Sequence, residues 1–361
     1  MSTAIATPRQ GPLLGLRVLE FASIGPGPHC AMLLADLGAE VIRIEREGGN
    51  GWPNPVVDRG RKLITLDIRT DTGRERCLTL AEDADVLIEG FRPGVMERLG
   101  LGPEQVHDRN PRLVYGRMTG WGQTGPLAKS AGHDINYLAI TGALAAIGNR
   151  EGPAIPPLNL VGDFGGGSLY LAFGIMAALW ERERSGQGQV VDAAIVDGVS
   201  SMMSFFAGLL PSRAISLERD RNLLSGAAPH YRCYTCADGR DIAVGPLEPQ
   251  FLAELVQRID APESLRAGCN DPTQWPELSE QLATLFASRT QAQWCALLEG
   301  TDACFAPVLT LEEAAQHPHM RERGIYRDID GALHAAPAPR FSRTPGAVRS
   351  SNNASGWDGR S

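Results

Sequence analysis

The sequence predicts an α/β protein with a parallel sheet flanked by helices in a large domain, and a smaller α+β domain after it. Three observations support this fold class. Short β-rich runs alternate with helical patterns through the first third of the chain. A length of 361 residues with 43% hydrophobic composition suffices for two domains. The composition changes after an apolar run at residues 202–210, where the second domain is expected to begin soon after.

The elements of the large domain follow in order along the chain. The predicted strands are LRVLEFA (16–22), AEVIRIE (39–45), KLITLDI (62–68), ADVLIEG (84–90) and RLVYGRM (112–118). FGGGSLYLAFGIMAALWERERSG (164–186) predicts one long buried helix, because its charged end and a glycine are typical of a C-terminus. The strand GQVVDAAIV (188–196) comes next.

The smaller domain is predicted over residues 225–315, after a large domain of residues 1–224. A hairpin is expected about Asp238 and Gly239, with helices beginning at Pro249 and near Gln291. Residues 316–361 form a C-terminal segment whose end, RSSNNASGWDGRS (349–361), is polar and expected to be disordered.

Charge and composition exclude several classes of function. A net charge of −8 without a long basic block disfavours nucleic-acid and membrane-surface partners. The start of the chain lacks the pattern of a signal peptide, and no run approaches the ~20 apolar residues of a membrane span, so a cytoplasmic location is expected. Seven cysteines suit reduced thiols, and Cys233 and Cys236 lack a second pair that would complete a metal site, so no metal is expected.

A glycine-rich turn raises the possibility of a nicotinamide cofactor. LEFASIGPGPHCAMLLADLGAEVIRIER (19–46) has the strand, turn, helix and strand of a dinucleotide-binding unit, ending at the acidic Glu45. Pro26 and Pro28, however, have no N–H to offer a pyrophosphate. The sequence therefore disfavours this cofactor.

Three ionisable residues are candidates for catalysis, and each also has a purely structural interpretation. His133 and Asp134 head an apolar run at 132–148, where Asp134 is expected to cap a helix. Asp163 precedes three glycines and a long helix; it is predicted to cap that helix, and the glycines to let a ligand approach the backbone. The amides there suit an oxyanion, and Asn159 adds a neutral hydrogen-bonding group.

Glu248 lies between a strand and a helix start, where it either favours the helix dipole or orients an imidazole. Basic residues in the first half are each expected to form surface ion pairs or, if they converge on one edge, to bind several phosphates. They are Arg43, Arg46, Arg59, Arg61, Lys62, Arg69 and Arg92.

Five motifs together resemble the family III coenzyme A transferase and racemase superfamily over residues 12 to 346. They are GFRPGV (90–95), GWGQTGP (120–126), GHDINYLAITG (132–142), PPLNLVGDFGGGS (156–168) and APAPRFSRTPG (336–346). The resemblance implies a Rossmann-like large domain completed by the C-terminal segment, a small domain, and two chains interlocked as a homodimer with shared active sites. It implies an acyl-CoA thioester substrate, whose CoA moiety is not a separate cofactor, and a place in fatty-acid or lipid metabolism.

The resemblance also implies a 1,1-proton transfer, hence a racemase or epimerase. His133 then serves one face of the α-carbon and Asp163 the other, while Glu248 of the second subunit supports His133 and Asn159 joins them. The residues implied in binding CoA are Arg46, Leu66, Asp67, Ile68, Arg69, Arg92, Gly132, Asp134, Ile135, Asn136 and Tyr137. The chain departs from the family's pattern at Glu47, which follows Arg46, and at His230.

Chemistry is consistent with this assignment, because inversion needs a proton to leave one face of the carbon and arrive on the other. Two acid–base groups of different kind meet that need, provided that the pKa of Asp163 is raised. Two rivals remain: a CoA-transferase in which Asp163 is the nucleophile, and a non-catalytic CoA-binding module.

Overall fold

The computed structural model of the protein describes residues 10–49, 52–148, 152–219, 221–349 and 357. They form two compact units. Unit 1 contains the described residues of Met1–Thr141, Leu158–Met202 and Pro318–Ser361, and unit 2 those of Gly142–Pro157 and Met203–His317. The described residues of 203–224 therefore group with the second unit, whereas the sequence predicts them in the large domain.

Unit 1 is built on a six-stranded parallel sheet, which confirms the predicted fold class. Its strands are β1 (Arg17–Phe21), β2 (Glu40–Glu45), β3 (Arg61–Thr65), β4 (Val86–Glu89), β5 (Val114–Thr119) and β6 (Val190–Ala194). Their order is β3-β2-β1-β4-β5-β6. Chain order reverses between β1 and β4, which opens a crevice at their carboxyl ends, where ligands of doubly wound folds bind.

The helices in chain order complete both units. They are α1 (Pro26–Asp36), α2 (Asp71–Glu82), α3 (Val95–Arg98), α4 (Pro103–Arg109), α5 (Asp134–Ile140), α6 (Ala143–Ala146), α7 (Tyr170–Ser185), α8 (Ile195–Met202), α9 (Ser204–Leu209), α10 (Pro249–Arg258), α11 (Glu263–Gly268), α12 (Trp275–Phe286), α13 (Gln291–Leu298), α14 (Leu311–Gln316) and α15 (Pro318–Glu322). A π-helix, Leu160–Leu169, leads into α7, and a 3₁₀ turn spans Leu223–Ser225.

The long helix predicted for residues 164–186 is wrong at its start. Helical structure begins four residues earlier, at Leu160, and runs as a π-helix before α7. Its end is as predicted, because Gly186 takes the left-handed conformation (φ +74°) that closes a helix. The prediction that it is buried holds for one face of α7 only, because Phe173 is 73% exposed and Trp180 70%. Within the described residues, Leu160–Ser185 is long and apolar enough to cross a membrane by length and composition, a test that buried core helices also pass.

Unit 2 contains an antiparallel sheet of β7 (Arg232–Thr235), β8 (Asp241–Val244) and β9 (Phe305–Pro307), in that order. The turn of the predicted hairpin falls at Asp238 and Gly239, where the glycine has φ +76°. The helices expected at Pro249 and Gln291 begin at those residues. Their apolar faces pack with the sheet around Phe286 and Trp294.

The C-terminal segment packs in unit 1. Its hairpin of β10 (Tyr326–Ile329) and β11 (Ala332–Ala335) carries His334, which hydrogen-bonds to Arg59. Trp357 is buried in the apolar core beside β1, so the expectation of disorder is wrong for this residue. The indole finds an apolar site that its polar neighbours in sequence do not reveal. The other residues of 350–361 lie outside the described part of the chain.

Candidate active site

A cavity of about 840 Å³ opens in unit 1 at the carboxyl ends of the strands around the reversal point. Its walls come from the turns after β1, β4 and β5, from the segment after β2, and from the start of α5 and the π-helix. The lining ranges are 23–28, 52–58, 90–93, 118–121 and 128–137 in part, and residues 159, 163, 164 and 195. The fold alone would place a ligand here.

Of the predicted site residues, six line this cavity: Arg92, Gly132, His133, Tyr137, Asn159 and Asp163. The two candidate acid–base groups therefore face one space, although 30 residues separate them in sequence. Asp134, Ile135 and Asn136 are in the first turn of α5 but do not line the cavity, and the remaining predicted residues lie elsewhere.

Asp163 sits in the first turn of the π-helix, so the prediction that it caps the helix is wrong; Asn159 takes that position. The Phe164 N–H donates to the Asn159 carbonyl at 3.2 Å, five residues back, as π-helical geometry requires. The Asn159 Nδ2 donates to the Asp163 Oδ2 at 3.2 Å. Leu158, just before, has the strained φ of +56°. Strain of this kind clusters at functional sites.

Asp134 anchors this turn, a role that the sequence did not predict for it. Its Oδ1 accepts the backbone N–H of Asp163 at 2.7 Å, so Asp134 does not cap α5, whose N-cap is His133. A β-carbon on Gly162 would lie 2.1 Å from that oxygen. The carboxylate satisfies a first-turn amide of the π-helix. The sequence predicts that amides here bind an oxyanion. The amide of Asp163 is not free to do so, because it already donates to Asp134.

His133 is held at the start of α5 by its neighbours on the same helix. Its backbone N–H donates to the Asn136 Oδ1 at 3.0 Å. The imidazole is exposed on the cavity wall. Tyr137, one turn along, donates its hydroxyl to the Gly132 carbonyl and packs edge-on against Trp121 at 4.7 Å between ring centroids.

The glycines after Asp163 serve packing between helices and not the approach of a ligand, so that expectation is wrong. A β-carbon on Gly166 would lie 2.6 Å from the Val199 side chain. On Gly198 of α8, it would lie 1.9 Å from the Gly166 carbonyl oxygen. Gly167 faces Pro26 of α1, at 3.0 Å from its would-be β-carbon. These glycines let the π-helix pack at backbone contact with α8 and α1.

Electrostatics distinguish the carboxylates of the site from ordinary surface acids. Burial raises the pKa of Asp163, the hydrogen bond from Asn159 opposes the rise, and the charge of Asp134 adds to it. Burial also raises the pKa of Asp134, against the two backbone amides it accepts. A carboxyl with a raised pKa is better able to hold and donate a proton near neutrality.

Three of the predicted basic residues are unavailable to a ligand, because each is buried and ion-paired with a carboxylate of unit 1. The pairs are Arg43–Asp58, Arg59–Asp36 and Arg61–Glu20. All three arginines are at most 3% exposed. The prediction that these three arginines form surface ion pairs or bind phosphates is therefore wrong. A buried guanidinium needs such a partner.

The other predicted CoA contacts lie along the same carboxyl edge of the sheet. Arg46 follows β2, is exposed, and donates its Nε to the Gly49 carbonyl at 3.1 Å. Residues 66–69 follow the adjacent strand β3; Leu66 and Ile68 pack on the core, while Asp67 and Arg69 form an exposed ion pair at 2.8 Å. Arg92 is on the turn after β4.

Glu248 belongs to unit 2, where it is the exposed N-cap of α10. Its predicted partnership with His133 across two subunits stays a prediction. Several cavity residues were missed as individuals: Trp121 and Phe164 in the wall, and the segment from Trp52 to Asp58. Two signals in the sequence could have identified the first two: Trp121 lies in the motif GWGQTGP, and Phe164 is next to Asp163. No sequence signal points to residues 52–58.

Comparison with known proteins agrees with this architecture. The model of CoA-transferase family III matches residues 13–359. α-Methylacyl-CoA racemases, which are isomerases, are 45% identical in Mus musculus and 42% in Homo sapiens; each match covers 92% of this chain and 87% of the relative. The crystal structure of a CAIB/BAIF family protein from Brucella suis aligns with a TM-score of 0.80 at 28% identity, over 94% of this chain and 95% of that one. This chain belongs to CoA-transferase family III.

Proposed function

We propose that this protein is a racemase that interconverts (2R)- and (2S)-2-methylacyl-CoA thioesters by 1,1-proton transfer through an enolate. The observation that carries the proposal is that His133 and Asp163, two acid–base groups of different kind, open on one cavity. The resemblance to racemases at 42–45% identity supports the choice of substrate class.

In the proposed mechanism, one group removes the α-proton while the other delivers a proton to the opposite face. For one enantiomer, His133 takes the proton as a neutral imidazole, electron density moves into the thioester carbonyl, and protonated Asp163 then donates its proton to the α-carbon. The reverse reaction exchanges the roles. The raised pKa of Asp163 supports this, because an ordinary carboxylate holds its proton too rarely at pH 7 to act as an acid.

The CoA moiety is part of the substrate in this proposal, and Arg46, Arg69 and Arg92 contact its phosphates. Their placement at the ends of β2, β3 and β4 supports one continuous binding edge that leads to the cavity. Arg92→Ala is expected to raise KM about 10-fold with little change in kcat, since phosphate contacts bind substrate and transition state alike. A loss confined to kcat would contradict this role.

A homodimer with shared sites is also part of the proposal, with Glu248 of a second copy supporting His133. One face of the π-helix and α7 exposes Leu169, Phe173 and Trp180, each by 53% or more. Their spacing of four and seven residues puts them on one stripe. An exposed apolar stripe of this kind is typical of a protein–protein interface, and we propose that a second copy of the chain packs against it.

Co-expression of His133→Ala and Glu248→Ala chains with different tags tests the shared site. In a hybrid dimer, one site contains both substitutions and the other contains neither. If about half the dimers are hybrid, about a quarter of all sites are therefore intact. Doubly tagged dimer no more active than the two mutant homodimers would reject sharing. Because Glu248 orients and does not transfer the proton, the background of its homodimer is subtracted first.

The family's transferase activity is the rival function. The Asp163 Oδ2 borders Gly25, where a β-carbon would lie 3.1 Å away, so a substrate can approach the carboxylate past bare backbone. In a transferase, that oxygen would attack the thioester carbonyl, expel the CoA thiolate and form a mixed anhydride. Hydroxylamine captures such an acyl-aspartyl enzyme as a hydroxamate. We expect no capture, because His133 gives the site a second base that a transferase does not need.

The decisive experiment is incubation with each enantiomer of a 2-methylacyl-CoA in heavy water. We expect both to approach an equal mixture and to acquire deuterium at the α-carbon. Asp163→Ala and His133→Ala are each expected to abolish racemisation while keeping proton wash-out from one enantiomer only, opposite in the two variants. Wild-type rates in both variants would refute the assignment, and absence of exchange in the wild type would favour a non-catalytic module. A cytoplasmic location stays a prediction from sequence.

A further inference from the structure

His29 lies behind the cavity, one turn into α1, and contacts the π-helix that carries Asp163. Its Nδ1 is 2.7 Å from the Ser168 Oγ, which is fully buried. Its ring packs on Phe164 with centroids 4.6 Å apart and planes tilted by 33°. His29 therefore holds the π-helix at two points, one directly after Asp163 and one a turn later.

The residues before His29 also lie beside the π-helix. A β-carbon on Gly25 would lie 3.1 Å from the Asp163 Oδ2, and one on Gly167 would lie 3.0 Å from the Pro26 Cβ. The GPGPH turn, which by sequence suggested phosphate binding, is here the surface on which the π-helix packs. A displacement of this turn is transmitted to the π-helix, because Gly167 packs against the rigid Pro26 ring.

The chemistry of His29 points to geometry and not to proton transfer. Burial, aided by the positive charges of Arg59 and Arg61, lowers the pKa of His29 to about 4. The imidazole is therefore neutral at working pH and serves as a fixed hydrogen-bonding ring. It also does not belong to the described lining of the cavity.

We propose that His29 is a positioning residue for Asp163: through Ser168 and Phe164 it fixes the π-helical turn that presents the carboxylate to the cavity. The inference rests on the proposed racemase function. It has a directional consequence, because His133 is held by Asn136 on α5 and not by His29. Loss of His29 should impair the face of the α-carbon served by Asp163 more than the other.

Four variants separate the contacts. Ser168→Ala removes only the hydroxyl. His29→Asn keeps a polar atom near the position of Nδ1 but loses the ring, and His29→Phe keeps the ring but loses the hydrogen bond. His107→Phe is the matched control, because His107 on α4 also makes one hydrogen bond, from its Nε2 at 3.0 Å to the Leu113 carbonyl oxygen.

The measurement is α-proton wash-out into heavy water at low conversion, determined separately for each enantiomer, with kcat and KM. Asp163→Ala and His133→Ala define which enantiomer depends on which base. We expect Ser168→Ala and both His29 variants to slow wash-out of the Asp163-dependent enantiomer about 10-fold or more, since misplacement by ~1 Å can cost ~100-fold. Wash-out of the other enantiomer should change less than about 2-fold, with KM and the His107→Phe control unchanged.

Three results would count against the inference. Equal losses for both enantiomers would assign His29 a general structural role, and unchanged rates would assign it none. If the His29 variants fail to fold, Ser168→Ala decides alone, because it removes a single atom beyond the β-carbon. Absence of wash-out from both enantiomers in the wild type would overturn the proposed function, and this inference with it.

Discussion

Gly198 of α8 packs against the backbone of Gly166 in the π-helix, so a side chain at position 198 should disturb the site. Alanine there would place its β-carbon 1.9 Å from the Gly166 carbonyl oxygen, while such contacts in real proteins stay beyond 3.0 Å. The π-helix and α8 must therefore separate by about 1 Å, because a backbone carbonyl cannot swing aside as a side chain can.

The stability effect follows from two opposing terms. Overpacking costs about 1–3 kcal/mol, and alanine regains about 1 kcal/mol over glycine within a helix. We expect Gly198→Ala to lose up to about 2 kcal/mol of unfolding free energy and up to a few degrees in Tm. The matched control is Gly208→Ala on α9, where a β-carbon meets nothing within 4 Å. Only the gain from helix propensity remains there, so the control should be as stable as wild type or more so.

The activity effect follows from the position of Gly166, three residues after Asp163 in the π-helix. A shift of about 1 Å should slow α-proton exchange about 100-fold, measured in heavy water beside thermal unfolding. Gly208→Ala should exchange at the wild-type rate. If Gly198→Ala were as stable as its control and fully active, the backbone packing described here would be refuted.

Three further predictions follow. Asp134→Ala should lose about 2 kcal/mol of unfolding free energy and most exchange activity, because the amide of Asp163 loses its acceptor; unchanged values in urea titration would contradict this anchor. Burial raises the pKa of Glu89 to about 7, so wild-type stability should fall between pH 4.5 and 7, where the folded state holds the extra proton, by at most about 3 kcal/mol. Glu89→Gln should flatten that dependence, and parallel curves would disprove it. Iodoacetamide should label exposed Cys304 in the native protein but buried Cys30 only after unfolding, as peptide mass spectrometry would detect.

The sequence alone determined the parallel sheet and the hairpin at Gly239. Strand, turn and helix end depend on periodicity and on backbone preferences of nearby residues, such as the left-handed φ of Gly186. Motifs in their order along the chain also indicated the family, which the matched residues 13–359 confirm. His133 and Asp163 were singled out in the same way, and the structure places both on one cavity.

The tertiary structure alone decided what each polar group and glycine contacts. Asp134 was assigned to its own helix, but it accepts an amide 29 residues away. The sequence gives no partner for the arginines near β2 and β3, but folding pairs them with Asp58 and Glu20. The sequence predicts that Gly166 lets a ligand approach, but in the structure α8 packs against it. Local sequence cannot specify such partners, because a buried charge or a bare backbone is satisfied by whatever the fold brings within a few ångströms.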